Sequence, residues 1–226
     1  MIEVHIRKRV SAKFSLDVSF HSQARNTVIY GPSGAGKSLT LQAIAGLLRP
    51  DSGRITFQGQ TLFAAGGPEL PARERGFAYL FQDYALFPQL TVAQNIAFGL
   101  QRSWFNPSAR KAAALPAVQH WLDRLELSPL AQQLPHQLSG GQRQRTALAR
   151  ALITQPRALL LDEPFSALDP ELRGRLRESL QALLAELQIP LLMITHDPDD
   201  LALFGDTQLL LRGGRIVRNP DEPEQH

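Results

Sequence analysis

The stretch Gly31-Pro-Ser-Gly-Ala-Gly-Lys-Ser38 fits the pattern G-x-x-x-x-G-K-[ST] of a phosphate-binding loop. An apolar run over residues 27–30 precedes it, and residues 39–48 follow it with the composition of a helix. Glycines let the backbone wrap around a phosphate with its N–H groups pointing inward, and the helix adds the positive end of its dipole. The residues expected to line this loop are Gly31, Pro32, Ser33, Gly34, Ala35, Gly36, Lys37 and Ser38.

Two side chains at the end of this loop carry the expected chemistry. Lys37 would reach the β- and γ-phosphates of a nucleoside triphosphate, and the Ser38 hydroxyl would bind Mg²⁺. The alternative is a glycine-rich turn that contains a lysine by chance. The agreement of strand, loop and helix around the motif favours the phosphate loop.

A second candidate position lies far along the chain, where the apolar run of residues 158–161 ends in two carboxylates, Asp162 and Glu163. At the end of a buried strand, Asp162 would hold Mg²⁺ through water, and Glu163 would polarise an attacking water molecule. The alternative is a pair of exposed charges at a strand end. The phosphate loop upstream favours the functional interpretation.

Two further strand ends carry polar side chains. Residues 76–82 form a mostly apolar run that ends in Gln82, which would lie near the ligand crevice of a parallel sheet. Residues 190–195 form a buried strand that is followed by His196. A lone histidine is usually structural, but one at this edge would point at the γ-phosphate, so we expect His196 to be catalytic.

Composition excludes several classes of function. The chain has 226 residues and no cysteine, so it can form neither a disulfide nor a thiolate metal site. No apolar run approaches the length of about 18 residues that spans a bilayer, and the N-terminus lacks the apolar core of a signal peptide. The net charge of +3 is weak support for nucleic-acid binding, and we expect no nucleic-acid partner. The simplest placement is the cytosol.

The order of patterns predicts an α/β fold. Alternating apolar residues before residue 30 and over residues 54–60 predict antiparallel strands, and residues 64–68 form a loop. Residues 83–155 carry mainly helical signals and predict an inserted helical subdomain. Further expected elements are a helix over 91–98 capped by Thr91, a loop over 103–107, an amphipathic helix over 115–127, a long helix over 170–187 and a final hairpin over 208–218.

A second anion-binding helix start is expected at residue 139. Ser139 is a candidate N-cap, and Gly140 and Gly141 follow it with free backbone N–H groups before an arginine-rich helix.

The order of these features resembles the nucleotide-binding subunit of ABC transporters over essentially the whole chain. In this resemblance residues 31–38 are Walker A, Gln82 is the Q-loop, residues 159–162 are Walker B, and residues 166–169 are the D-loop. Glu163 is then the general base and His196 the switch histidine. The signature motif is Leu138, Ser139, Gly140, Gly141 and Gln142.

The resemblance implies a P-loop NTPase (RecA-like) core with an N-terminal antiparallel β subdomain and an inserted α-helical subdomain. The whole chain, residues 1–226, would be one ABC ATPase domain. Its core would comprise residues 1–82 and 156–226, and its helical subdomain residues 83–155. ATP and Mg²⁺ would be the cofactors, with the metal held by Ser38, Gln82 and Asp162.

The resemblance also implies partners. Two copies would form a head-to-tail homodimer, with each ATP between the Walker A of one subunit and the signature of the other, and with Asp169 at the dimer contact. Integral-membrane permease subunits would bind at the cytoplasmic face of the inner membrane, and a periplasmic or extracellular solute-binding protein would act indirectly. Tyr84, Leu86 and Phe87 are candidates for the permease contact, with the core of the helical subdomain as the alternative.

One departure from the family concerns adenine. Members usually stack adenine on an aromatic residue in the first strands, but residues 7–9 contain no aromatic side chain. Phe14 is the nearest substitute and is equally expected as a core residue, and an arginine face is a further alternative.

The sequences of residues 81–88 and 95–99 are similar to those of importers of oxyanions, iron, polyamines and sugars. Residues 195–200 and the lead-in Phe14-Ser-Leu-Asp17 most resemble molybdate or tungstate importers. Many such subunits carry a C-terminal regulatory domain, and we expect that this chain either lacks that domain or is a fragment. Two other classes stay open: a soluble ABC ATPase of DNA repair or translation, and a regulatory module without turnover. An intact Glu163 and His196 disfavour the second of these.

Overall fold

The computed structural model describes residues 2–100, 107–166 and 168–218. Its strands are β1 (Ile2–Arg9), β2 (Ser15–Ser22), β3 (Asn26–Tyr30), β4 (Ser52–Phe57), β5 (Gln60–Ala64), β6 (Phe77–Leu80), β7 (Ala158–Asp162), β8 (Leu191–Thr195), β9 (Thr207–Arg212) and β10 (Arg215–Arg218). Its α-helices are α1 (Lys37–Ala45), α2 (Ala72–Arg75), α3 (Val92–Phe98), α4 (Ala109–Ala113), α5 (Pro116–Arg124), α6 (Gly140–Leu152), α7 (Pro170–Leu187) and α8 (Pro198–Phe204). Short 3₁₀ helices cover Ser128–Leu130 and Pro135–Gln137.

The larger sheet has six strands in the order β10-β9-β3-β8-β7-β6. Strands β9, β3, β8, β7 and β6 run parallel, and β10 returns antiparallel beside β9. Because β3, β8 and β7 are adjacent and parallel, the loops that follow them meet at one edge of the sheet. This places the segments after Tyr30, Asp162 and Thr195 side by side.

The smaller sheet is antiparallel, with the order β2-β1-β4-β5. Its inner face packs on α1 and on one face of the larger sheet, so that Val4, Ile44 and Leu160 belong to one core. The opposite face of the larger sheet packs on α6 and α7, and Leu161 and Leu180 belong to that second core. Strand β7 is therefore buried on both faces, which explains its continuous apolar sequence.

Helices α3 to α6 lie between β6 and β7 in the chain, as predicted. Thr91 caps α3 in a capping box with Gln94. Tyr84 is 5% exposed and belongs to the core of this helical region, and Leu86 packs against the same core. The structure therefore supports the alternative for Tyr84 and Leu86, and Phe87 remains as the candidate for a permease contact.

Several predicted boundaries were wrong. The predicted strand over 54–60 is split, because Gln58 and Gly59 adopt positive φ angles of 50° and 80° and turn the chain from β4 into β5. Helix α1 ends at Ala45, where Gly46 adopts a left-handed conformation, and α5 ends at Arg124.

Most of the predicted loop over 103–107 lies outside the described residues. Ala167, in the predicted 166–169 turn, also lies outside them. Within the described ranges, no helix is long and apolar enough to cross a membrane.

Candidate functional site

The site lies where β3, β7 and β8 end. Tyr30 pairs with Thr195, and Asp162 pairs with Ile194, so the three strands end at nearly the same level. The Glu163 amide donates a hydrogen bond to the Ile194 carbonyl at 3.0 Å, which fixes the chain just past the end of β7. The predicted phosphate loop, the carboxylate pair and the histidine are thereby brought together.

The phosphate loop has a backbone that only glycine fits at two positions. Gly31 has φ +151°, and a Cβ there would lie 2.1 Å from the Leu211 carbonyl oxygen. Gly36 has φ +103°, and a Cβ there would lie 2.5 Å from the Leu16 side chain. Within the described part of the chain, the Gly34 and Gly36 amides donate no hydrogen bond, so they are available to a ligand.

Lys37 opens α1 and turns its side chain back across the loop. Its Nζ donates hydrogen bonds to the carbonyl oxygens of Gly31 (3.0 Å) and Pro32 (3.2 Å). The same Nζ lies 3.5 Å from Glu163 Oε1, and the Lys37 side chain is 5% exposed. A buried cation therefore sits between the loop and the carboxylate pair, where it would attract phosphate.

Asp162 accepts two hydrogen bonds, one on each carboxylate oxygen. The Ser38 hydroxyl donates to Oδ1 at 3.0 Å, and the Tyr79 hydroxyl donates to Oδ2 at 2.8 Å. Burial raises the pKa of Asp162 above its ordinary value, although the Tyr79 and Ser38 hydrogen bonds oppose the shift. Burial and the neighbouring Asp162 charge likewise raise the pKa of Tyr79, which therefore stays a hydrogen-bond donor.

The donors at this point fit Mg²⁺, which prefers oxygen ligands and retains several waters. The Ser38 hydroxyl and the Asp162 carboxylate already lie in hydrogen-bond contact. In residues 2–100, 107–166 and 168–218 no group of three or more histidine, cysteine or carboxylate side chains could hold a metal. Gln82 is exposed, and its Nε2 donates to Ser166 Oγ at 3.4 Å.

Glu163 contacts both Lys37 and His196. His196 Nδ1 lies 3.2 Å from Glu163 Oε2, and the side chains of His196 and Glu163 are 60% and 17% exposed. Glu163 has a positive φ of 47°, a conformation that non-glycine residues adopt rarely. The largely buried Glu163 carboxylate thus faces Lys37 on one side and the solvent-exposed His196 ring on the other.

The predicted signature segment starts α6, as expected. Ser139 caps the helix, its Oγ accepting from the Gln142 amide at 3.3 Å and its amide donating to Gln142 Oε1 at 2.8 Å. Leu138 is buried, and a Cβ on Gly140 or Gly141 would press on leucines at or near the start of α7. No hydrogen bond or ion pair among the described residues joins this segment to the phosphate loop of the same chain.

Two other predicted residues have clear positions. Phe14 is partly buried and packs against the core, and a Cβ on Gly36 would lie 3.1 Å from its Cζ. The ring thus borders the phosphate loop and is also a core residue. Asp169 is the N-cap of α7, with Oδ1 accepting from the Leu172 amide at 3.0 Å.

Two groups of residues at this site were not predicted from the sequence. Tyr79, which touches Asp162, was included in an apolar strand without a role. The carboxylates that follow His196, together with arginines on α7, form an ion-pair network behind the histidine. The run Asp197-Pro-Asp-Asp200 after a strand end was the available signal, but its arginine partners are visible only in three dimensions.

Comparison with known proteins agrees with this geometry. The family model described as ABC transporter matches residues 15–166. The chain is 46% identical to an Fe(3+) ions import ATP-binding protein of Pseudomonas fluorescens, over 93% of this chain and 58% of that protein. It is 40% identical to a molybdate/tungstate import ATP-binding protein of Archaeoglobus fulgidus, over 96% and 85%. It is 44% identical to a sulfate/thiosulfate import ATP-binding protein of Gloeobacter violaceus, over 93% and 59%.

A solved structure supports the fold. A dimeric ATP-binding cassette in a post-hydrolysis state bound to ADP and Pi matches with a TM-score of 0.78 at 27% identity, covering 100% of both chains. The chain spans just under three fifths of the length of the iron and sulfate relatives. The expected P-loop NTPase fold is confirmed, and the relatives name several solutes rather than one. The family match and the aligned length together show that this chain belongs to the ABC transporter family, as an ABC ATPase domain.

Proposed function

We propose that this chain is the ATP-hydrolysing subunit of an importer and couples ATP binding and hydrolysis to solute uptake. The observation that carries the proposal is the position of Glu163, whose carboxylate lies 3.5 Å from Lys37 Nζ and 3.2 Å from His196 Nδ1. A general base must lie beside the group that holds the γ-phosphate, and here a single carboxylate contacts both the phosphate-loop lysine and the histidine.

Each residue has a distinct part in the proposed reaction, ATP + H₂O → ADP + phosphate. The loop amides and Lys37 bind and orient the phosphates. Ser38 and Asp162, with Gln82 at the edge, would hold Mg²⁺, which supplies charge neutralisation on the β- and γ-phosphates. Glu163 orients the attacking water and accepts its proton. His196 donates a hydrogen bond toward the γ-phosphate.

We propose a head-to-tail homodimer because the two anion-binding helix starts of one chain are not in contact. Ser139 is exposed, and the amides of Gly140 and Gly141 lie in the first turn of α6, where helical N–H groups lack partners. The site would be completed by the signature segment of a second copy, residues 138–142, with Asp169 at the contact. The solved relative was itself a dimer with ADP and Pi bound.

The solute and the membrane partners are inferred from the relatives. An oxyanion such as molybdate is our first candidate, because the molybdate/tungstate relative matches over 85% of its length. Iron and sulfate are the alternatives, since those relatives show 46% and 44% identity. Permease subunits would bind near Phe87 at the cytoplasmic face of the inner membrane, and a solute-binding protein would act through them.

Turnover of ATP by the purified chain tests the enzymatic part. The parent should hydrolyse ATP only with Mg²⁺, and Glu163→Gln should reduce kcat at least about 100-fold while leaving ATP binding intact. Hydrolysis by the variant at the parent rate would refute the base assignment. Co-purification with a membrane permease separates the importer from a soluble ABC ATPase, because the soluble enzyme has no such partner.

A further inference from the structure

Two hydrogen bonds of the Thr195 hydroxyl hold the residues on both sides of His196 in place. The Thr195 hydroxyl donates to Asp200 Oδ2 at 2.6 Å, and the Asp197 amide donates to the Thr195 hydroxyl at 3.0 Å. Asp200 is 2% exposed. The exposed imidazole is therefore carried by a segment whose two flanking residues are fixed.

Arg177 of α7 anchors this segment. Its Nε donates to Asp200 Oδ1 at 2.6 Å, and its Nη2 lies 2.6 Å from Asp197 Oδ2. Its guanidinium also lies over the ring of Phe165, 5.8 Å from the centroid. The Arg177 side chain is 10% exposed, so this ion-pair group is largely shielded from solvent.

Arg173, one turn earlier on α7, makes a different connection. Its Nη1 donates to Asp197 Oδ2 at 3.0 Å, and its Nη2 donates to the Leu168 carbonyl at 3.0 Å. Leu168 directly precedes Asp169, the N-cap of α7. One guanidinium thus joins the residue after His196 to the residue before Asp169.

We propose that Arg173 is a positioning residue that couples the Leu168–Asp169 segment to His196, so that displacement of this segment by the partner subunit repositions the imidazole. The inference rests on the proposed function, in which Asp169 lies at the dimer contact. The guanidinium is planar and its two donors have a fixed spacing. A shift of the Leu168 carbonyl must therefore either move Asp197 or break a hydrogen bond.

Arg173 and Arg177 have different roles, so the coupling through Arg173 can be removed while Arg177 still holds the segment in place. Arg177 retains Asp197 and Asp200 without any help from Arg173. The Arg173 side chain is 28% exposed, compared with 10% for Arg177. Removing Arg173 should therefore loosen the connection to Leu168 while the buried anchor stays in place.

The test compares Arg173→Met with Arg175→Met on the same helix. The Arg175 side chain is 70% exposed and forms an ion pair with Glu171 at 3.4 Å, so it serves as a matched control. We expect Arg173→Met to lower kcat about 10-fold relative to Arg175→Met with an equal affinity for ATP, in assays run well below the urea midpoint of either variant. Arg173→Lys should restore only part of kcat, because one ammonium group cannot reproduce the two hydrogen bonds that the guanidinium donates to Asp197 and to the Leu168 carbonyl.

A second measurement needs no turnover. The NMR signals of the His196 ring nitrogens can be assigned by their loss in His196→Asn. Their chemical shifts should change in Arg173→Met and stay the same in Arg175→Met. In an Asp197→Asn background, Arg173→Met should cause less than a twofold further loss of kcat. Equal kcat and unmoved His196 signals in the two methionine variants, or additive losses in the double variant, would overturn the coupling. Absence of hydrolysis by the parent would instead refute the proposed function.

Discussion

Ser38 Oγ donates a hydrogen bond to Asp162 Oδ1 at 3.0 Å, although 124 residues separate the two in sequence. The contact joins the first turn of α1 to the end of β7, so the phosphate loop and the carboxylate pair form one site. Tyr79 holds the other oxygen of the same carboxylate. Asp162 is therefore oriented from both sides, as carboxylates that bind a metal usually are.

Tyr79→Phe tests the orientation of Asp162. The variant removes the donor to Oδ2 and leaves the ring packing unchanged, so we expect a loss of about 1–2 kcal/mol in the free energy of unfolding. The Mg²⁺ concentration for half-maximal ATP hydrolysis should rise about 10-fold. Tyr30→Phe is a control, because Tyr30 ends a strand of the same sheet. An unchanged Mg²⁺ requirement would show that Tyr79 is a packing residue only.

The glycines of the phosphate loop should differ sharply in tolerance to substitution. Gly31→Ala places a Cβ 2.1 Å from the Leu211 carbonyl oxygen, which belongs to a buried strand and cannot move aside. We expect a loss of about 3 kcal/mol or more in the free energy of unfolding, measured by urea denaturation.

Gly34→Ala is the matched control, because a Cβ there would meet no atom within 4 Å. Its positive φ of 76° should still cost about 1–2 kcal/mol. Equal destabilisation by the two substitutions would contradict the loop geometry described above.

Lys37→Ala should weaken nucleotide binding itself. The ammonium is the buried cation of the loop, and its removal takes away a charge-assisted contact to phosphate. We expect the Kd for ATP, measured by titration calorimetry, to rise at least about 10-fold. Lys111→Ala, which removes an exposed lysine on α4, should leave the Kd unchanged. An unaltered Kd for ATP in Lys37→Ala would show that this lysine does not bind the phosphates.

Asp197 gives a pH dependence of stability. Burial alone would raise the pKa of Asp197, but the Asp199 amide and the Arg177 and Arg173 guanidiniums together lower it. A lowered pKa in the folded state stabilises the protein above the unfolded value of about 3.9, and this contribution is lost as the pH falls through the folded pKa. Asp197→Asn should thus be less stable than the parent by about 1–2 kcal/mol at pH 7.

The difference between Asp197→Asn and the parent should shrink as the pH is lowered below the unfolded value of about 3.9, and it should vanish as the pH falls through the lowered folded-state pKa of Asp197. Urea denaturation at a series of pH values measures it. A difference that stays constant over this range would show that the carboxylate charge does not stabilise the fold.

Much of the site could be predicted because its residues lie in short motifs at strand ends. Gly31 to Ser38 specify a loop between a strand and a helix by local geometry alone, and Thr91 and Ser139 cap helices by chemistry that spans three residues. Parallel strand ends meet at one edge of a sheet, which brings Glu163 and His196 together.

What could not be predicted depends on contacts between distant segments. Tyr79 reads as one aromatic residue in an apolar strand, and its partner Asp162 is 83 residues away. The arginines of α7 read as an exposed charged face, yet Arg177 is buried against Asp200. The turn at Gln58 was missed because glutamine rarely adopts a positive φ.

The exposed start of α6 offers a control for the dimer. Ser139→Arg places a long side chain where the partner's nucleotide would lie, while the phosphate loop of the same chain stays intact. In a Glu163→Gln background this second substitution should leave ATP binding by the monomer unchanged and prevent association, because it blocks only the face that a second copy would use.

The most direct measurement is the mass of Glu163→Gln with Mg²⁺ and saturating ATP in analytical ultracentrifugation. The account predicts a dimer with ATP, a monomer with ADP, and a monomer with ATP when Ser139→Arg is added. A Glu163→Gln protein that binds ATP and stays monomeric, or one that dimerises equally well with Ser139→Arg, would contradict the shared nucleotide site.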